Sequence, residues 1–271
     1  MIPDEGLQSY FRPNGTCRHI ILIDPAEQEP EVAANRVIIA IEEGSQMVFI
    51  GGSTDTPNEI VHATCSAIQE ALELRVFAAS QHPTQNEDQW KIPVILFPGG
   101  AHAISPAADG ITFIMLMNSK SRKWLIGEQL RGAPHLYEYG IEPISTGYIL
   151  CHPGGKVGEI GEADLIMEDE TSLVRNYAIT AKMYGMSTIY LEAGSGASSP
   201  VSKGLIESAA EITGLTLIVG GGIRDGKSAT IAADAGADWI VTGSITEEKS
   251  DNNELRKSLK EIISALQSSS S

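Results

Sequence analysis

Eight short apolar runs separated by stretches of helical periodicity constrain this chain more than any other feature. The runs occupy residues 19–24 (HIILID), 47–51 (MVFIG), 94–97 (VILF), 111–116 (ITFIML), 144–151 (ISTGYILC), 188–192 (TIYLE), 215–219 (LTLIV) and 238–242 (DWIVT). They are rich in β-branched residues and short enough for strands buried on both faces. Amphipathic helices are predicted at 31–43, 57–74, 123–139, 172–184, 202–213, 226–235 and 253–266. Pro57 suits a first helical turn, and Gly185, Gly214 and Gly236 are stop signals. Eight strands with interleaved helices in 271 residues fit a (β/α)8 TIM barrel, which needs about 250. A doubly wound sheet is the alternative, but it usually has fewer strands. The expected organisation is a single domain over 1–271, with an N-terminal extension at 1–18 and a frayed tail at 268–271.

The third unit breaks the rhythm. A polar stretch at 76–91 precedes the third strand, on the side of a barrel that serves stability. After that strand, residues 101–109 are too few for a regular helix, so the third helix is predicted to be degenerate. On strand four, Phe113, Met115 and Met117 alternate and are expected to fill the barrel, with a greasy substrate groove as the other possibility.

A net charge of −16 argues against general nucleic-acid binding, which needs clustered Lys and Arg. An anionic substrate would need backbone N–H groups or a metal ion to offset that charge. Three separated cysteines without a CxxC pair give neither a zinc site nor a disulfide framework. With no signal pattern and no apolar run of spanning length, a cytoplasmic setting is the natural expectation.

Barrel chemistry gathers at strand C-termini. Three glycine-rich strand ends stand there: Glu192-Ala193-Gly194-Ser195-Gly196, Gly220-Gly221-Gly222-Ile223-Arg224 and Thr242-Gly243-Ser244. Glycines bring backbone N–H groups close to a ligand, and the last two loops lie where barrel phosphate sites commonly form. Tight turns alone would also explain one such loop, but two at successive strand ends point to a phosphate cradle. Glu192 would repel phosphate yet suits a substrate hydroxyl, as hydrogen-bond acceptor or general base, unless it merely pairs with Arg224. Tyr190 lies on the same strand face. Asp24 ends strand one, where a carboxylate can hold magnesium, and Ser53 could add a hydroxyl; a turn residue is the plainer reading of each. His102, His152 and Lys156 sit on loops that could reach a phosphate, although Gly154-Gly155-Lys156 lacks P-loop spacing.

HIILIDP, FIGGS, VILFPG, FIMLMNS, YLEAGSGA, IVGGGIR and ADWIVTGS occur in that order and resemble the geranylgeranylglyceryl phosphate synthase family over about residues 19–244. GYILCHPGGKVGEIGEADLI is similar to the archaeal group carrying a GYI-x-x-x-PGG-x-VG segment. The resemblance implies a magnesium-dependent prenyltransferase on a modified barrel without a regular third helix. It would join geranylgeranyl diphosphate to the 3-hydroxyl of sn-glycerol 1-phosphate, forming the first ether bond of archaeal membrane lipids. By matching positions, Asp24 and Ser53 would hold Mg²⁺. Tyr190, Leu191, Glu192, Ala193, Gly194, Ser195, Gly196, Gly221, Gly222, Gly243 and Ser244 would bind glycerol 1-phosphate, with Glu192 and Tyr190 catalytic. A homodimer or hexamer and peripheral membrane contact are implied as well. The chain departs from the pattern at Gly100, at the final Gly243-Ser244 pair and in the longer 76–91 stretch. Another phosphate-binding barrel isomerase, or a non-catalytic binder of prenyl or glycerol phosphates, would share the cradle. The first would turn over without a prenyl diphosphate, and the second would form no product.

Overall fold

A computed structural model describes residues 6–52, 56–248 and 251–269. Helix α1 (Leu7–Phe11) precedes strand β1 (Arg18–Ile23), which is followed by α2 (Pro30–Glu43), β2 (Met47–Gly52), α3 (Asn58–Ser80), β3 (Val94–Pro98) and β4 (Gly110–Leu116). A π-helical turn (Lys123–Gly127) then merges into α4 (Glu128–Tyr139). The second half runs β5 (Glu142–Leu150), α5 (Gly155–Ile160), α6 (Thr171–Met183), β6 (Thr188–Glu192), α7 (Lys203–Ala210), β7 (Thr216–Gly220), α8 (Gly226–Asp234), β8 (Trp239–Thr242), α9 (Ser244–Glu248) and α10 (Asn252–Ser269). Each strand pairs in parallel with its sequence neighbours, and β8 closes on β1 through Ile20↔Val241. The closed eight-stranded TIM barrel expected from the alternation is therefore present, and no helix joins β3 to β4.

Two apolar layers follow from the pleat. Ile20, Phe49, Tyr148, Tyr190 and Trp239 fill the barrel, while Ile21, Ile23, Val48, Ile149 and Leu191 face the helices. Both faces are buried, which is why the strands read as continuous apolar runs. On β4 the expected faces are reversed. Leu96 pairs with Ile111 and both face outward, so Ile114 and Leu116 fill the barrel while Phe113 and Met117 pack outside. A one-residue change of register flips every side chain, and the apolar character of all these residues hid the choice.

The N-terminal extension closes the barrel floor. Leu7 and Phe11 are buried, and Trp239 Nε1 donates to the Phe11 carbonyl over 2.9 Å. The Arg18 guanidinium stacks 3.7 Å from the Trp239 ring centroid and donates to the Tyr10, Phe11 and Arg12 carbonyls. The helix expected to end near residue 74 runs on as α3 to Ser80, so the start of the 76–91 stretch is helical rather than loop. At the other end of the chain α10 reaches Ser269, and Ser268 Oγ donates to the Ser264 carbonyl over 2.9 Å. Among the described residues, no helix is long and apolar enough to cross a membrane.

Candidate active site

The three glycine-rich strand ends meet at the C-terminal mouth of the barrel. They enclose a small cavity of about 40 Å³ lined by Tyr190, Glu192, Ser195, Gly221, Gly222, Gly243 and Ser244, with Leu22 and Arg224 alongside. Gly221 (φ 80°) and Gly222 (φ 71°) turn the β7 loop through left-handed backbone. A Cβ at Gly222 would stand 2.6 Å from the Ser199 carbonyl, so no larger residue fits without moving the loop. Among the described residues, the N–H groups of Ser195, Gly196, Gly221, Gly222 and Gly243 donate to no protein acceptor. Amides left free around a small hollow are the chemistry of an anion cradle.

Not every residue of the expected stretch contributes. Leu191 turns its side chain into the helix-facing layer, as strand alternation requires. Ala193 has both backbone groups in use: its N–H donates to the Gly220 carbonyl, and its carbonyl accepts from Gly154 N–H. The Gly196 carbonyl accepts from Arg224 Nη2 over 3.2 Å. Leu191 and Ala193 thus shape the loop, while Gly196, which does not line the hollow, has its carbonyl held and its N–H left free. Arg224 also pairs with Glu248 at 3.6 Å rather than with Glu192.

Glu192 stands where the cradle opens into a second, larger cavity, and it lines both. Only 7% of it is exposed. Its Oε1 accepts from Gly194 N–H over 2.6 Å. Burial pushes its carboxyl up to about 7, with the Gly194 N–H and the Tyr190 hydroxyl holding it back from rising further. A carboxyl poised near neutral pH can take or hold a proton. Beneath it, Tyr190 packs edge-on against Tyr148 at 5.1 Å and 5.3 Å from Phe97, giving the mouth an aromatic floor.

Asp24 lies just past β1 on the larger cavity, with Glu27 and Glu247. Its Oδ1 accepts from Ala26 N–H over 2.9 Å, so it is also the turn residue of the plainer reading. Burial raises its carboxyl; the Ala26 N–H lowers it, Glu27 raises it and Lys156 lowers it. Burial likewise raises Glu247, reinforced by Asp24 and Glu27. Crowded carboxylates with all-oxygen donors suit Mg²⁺, which needs only one or two protein ligands beside water and substrate phosphate. Among the described residues, no group of three or more such side chains is arranged to hold a metal unaided. Ser53, the other expected ligand, lies outside the described residues.

The larger cavity, about 410 Å³, exists because the third unit is incomplete. Strands β3 and β4 pair only at Ile95↔Gly110 and Leu96↔Ile111, then part. Thr112 Oγ1 donates to the Leu96 carbonyl over 3.1 Å, and Gln129 Nε2 donates to the Ile114 carbonyl. Side chains thus take up backbone groups that the ladder leaves open. Through this gap the cavity passes from Glu192 and Phe97 to Ile104, Ile111, Phe113 and Leu136, the space a third helix would fill. Trp124, Val157 and Ile160 form its other wall, and Trp124 Nε1 is held by the Ile160 carbonyl at 2.9 Å. Of the doubtful residues, Lys156 lines this cavity, whereas His102 and His152 line neither. Sequence reasoning missed Phe97, Tyr148 and Trp124. Phe97 alone carried a signal, since it adjoins the Pro-Gly-Gly turn at a strand end.

The model of the PcrB family matches residues 14–265. The chain belongs to that family. Within the PcrB family it is 42% identical to the geranylgeranylglyceryl phosphate synthase of Methanococcoides burtonii, over 97% of this chain and 98% of that one. The crystal structure of (S)-3-O-geranylgeranylglyceryl phosphate synthase from Thermoplasma acidophilum, in complex with its substrate sn-glycerol-1-phosphate, superposes with a TM-score of 0.85. It is 32% identical, and the match covers 99% of both chains. The wild-type enzyme from Thermoplasma volcanium, 35% identical, superposes with a TM-score of 0.84 over 99% of this chain and 98% of that one.

Proposed function

We propose that this chain is a Mg²⁺-dependent prenyltransferase joining geranylgeranyl diphosphate to the 3-hydroxyl of sn-glycerol 1-phosphate. One observation carries the reading: a buried carboxyl, Glu192, separates an amide-lined hollow from a long apolar cavity. The hollow suits a phosphate monoester and the cavity an isoprenoid tail, so the two reactive ends meet at Glu192. The names of the relatives, and the sn-glycerol-1-phosphate held by the Thermoplasma acidophilum protein, support the same pairing.

The chain's own groups then have definite tasks. The free amides of Gly222, Gly243 and Ser195 hold the phosphate in place of water. Glu192 orients the glycerol hydroxyl and takes its proton as the ether bond forms. Phe97, Tyr148 and Tyr190 exclude water and present ring faces to the positive charge that develops on the allylic carbon. Asp24 would hold Mg²⁺, with Ser53 as the second ligand that the resemblance implies, and a bound ion would supply positive charge to the diphosphate leaving group. Fixing both reactants in one geometry supplies on the order of 7–11 kcal/mol in favourable cases.

Incubation with Mg²⁺, labelled sn-glycerol 1-phosphate and prenyl diphosphates of several lengths tests the reading. Label extracted into organic solvent, with the most from geranylgeranyl diphosphate, is the expected result. Turnover of a sugar phosphate without a prenyl donor, or binding without product, would replace it with an isomerase or a carrier.

A further inference from the structure

Among the described residues, five carboxylates line the larger cavity, those of Asp24, Glu27, Glu128, Glu192 and Glu247, against a single basic side chain, Lys156. The function proposed above brings a diphosphate into this acidic mouth. As the reaction proceeds, the bond between the allylic carbon and the diphosphate oxygen breaks and its electron pair stays on that oxygen. The glycerol oxygen bonds to the carbon, and its proton passes to Glu192. Negative charge therefore grows on the diphosphate, in a cavity whose described lining carries one basic side chain, although the charge of Arg36 reaches Glu247 as well.

We propose that Lys156 binds the diphosphate of the prenyl donor and stabilises the charge that its leaving oxygen acquires. The inference rests on the functional reading above and names a residue beyond it. Three observations carry it. The first is position. Gly154 N–H donates to the Ala193 carbonyl over 2.9 Å, fixing the loop before Lys156 against the cradle loop. A Cβ at Gly155 would lie 3.4 Å from the Ser195 carbonyl oxygen, so the two loops are in contact. From the other side of the mouth, the charge of Lys156 is felt at Asp24.

The second observation is availability. Lys156 forms no ion pair within 4.0 Å among the described residues, whereas Lys91, Lys120, Lys203, Arg224 and Arg256 all do. Other described cations, such as Lys227 and Lys257, also lack such a pair, but neither lines this cavity, where Lys156 stands among carboxylates with its ammonium unclaimed. The third is alignment with the tail. Lys156, Val157 and Ile160 on α5 all line the same cavity, so one short helix presents a cation close enough to act on Asp24 together with two apolar side chains. That is the head-to-tail pattern of a prenyl diphosphate. Lys156 does not line the cradle, so it serves the donor rather than glycerol phosphate.

The test compares wild type, Lys156→Met and Lys156→Arg in Mg²⁺ buffer. Calorimetry gives the affinities for inorganic pyrophosphate and for sn-glycerol 1-phosphate, and steady-state kinetics gives kcat and both KM values. Lys156→Met is expected to weaken pyrophosphate binding and raise KM for geranylgeranyl diphosphate on the order of tenfold to a hundredfold, the worth of a charge-assisted hydrogen bond. Glycerol phosphate affinity should stay within about twofold, and Lys156→Arg should recover most of the loss because it keeps the charge. Unchanged pyrophosphate affinity in Lys156→Met overturns the assignment. Parallel loss of glycerol phosphate affinity overturns it too, by moving the lysine to the acceptor side. A wild-type chain that binds pyrophosphate but forms no lipid product refutes the functional reading instead, and the calorimetric comparison still decides the role of Lys156.

Discussion

Glu192→Gln removes a proton-binding group while keeping an oxygen for the Gly194 N–H, which donates to Oε1 over 2.6 Å. Burial holds the native carboxyl at about 7, against 4.5 when exposed. Each tenfold change in proton affinity is worth about 1.4 kcal/mol, so ionising Glu192 in the folded chain costs about 3 kcal/mol. A carboxyl that binds its proton more tightly folded than unfolded favours the folded state at low pH. That contribution is complete below about pH 4.5 and has gone once the pH passes about 7. Glutamine has no such dependence. Metal-free denaturant unfolding should therefore show wild type and variant nearly equal at pH 4.5, with the variant ahead by about 3 kcal/mol at pH 8. At saturating substrates the same substitution should lower kcat by about 10²- to 10⁴-fold, the usual worth of a general base. Glycerol phosphate affinity should change by less than about threefold, because backbone amides carry it. The wild-type rate should fall as pH drops below about 7, where the base becomes protonated. A stability difference that is flat with pH would refute the buried-carboxyl argument. Equal losses of turnover and phosphate affinity would refute the assigned role.

Gly222→Ala should abolish detectable glycerol phosphate binding by calorimetry and destabilise the chain by roughly 1–3 kcal/mol in unfolding experiments, since its φ is 71° and the new Cβ meets Ser199. Asp24→Asn should raise the Mg²⁺ concentration for half-maximal rate at least about tenfold while leaving metal-free glycerol phosphate affinity unchanged; an unaltered Mg²⁺ titration would remove Asp24 from the metal site. Gly132→Leu should fill the groove beside Ile104, which a Cβ there would approach to 3.3 Å. Competition assays should then show preference moving from geranylgeranyl toward geranyl diphosphate, and a preserved ratio would place the tail elsewhere.

Much of the site could be read along the chain. GGGIR and TGS at successive strand ends marked the loops that enclose the small hollow, and at Gly221 and Gly222 the left-handed backbone has to be written in glycine. Glu192 was legible as a carboxylate closing an apolar strand. The individual atoms were not. Nothing in Tyr190–Gly196 as a string says that Leu191 faces the helices or that the Ala193 N–H and carbonyl are already bonded. Those facts depend on which neighbouring strand each group meets. Similarly, Gly154-Gly155-Lys156 read as a failed P-loop, and only its packing against the β6 loop put Lys156 on the cavity wall.

By itself, the sequence determined the number and order of the strands, the closed barrel and the missing third helix, because periodicity, glycine stops and segment length act locally. Tertiary structure decided which face of β4 fills the barrel, how far β3 and β4 part, and what plugs the floor. Apolar residues stood on both faces of β4, so only register against β3 and β5 could select one. The raised proton affinity of Glu192 has the same origin: it comes from burial at the barrel mouth, where Phe97 and Tyr148, distant in the chain, reach the neighbourhood of Tyr190 and Glu192 only once the barrel closes.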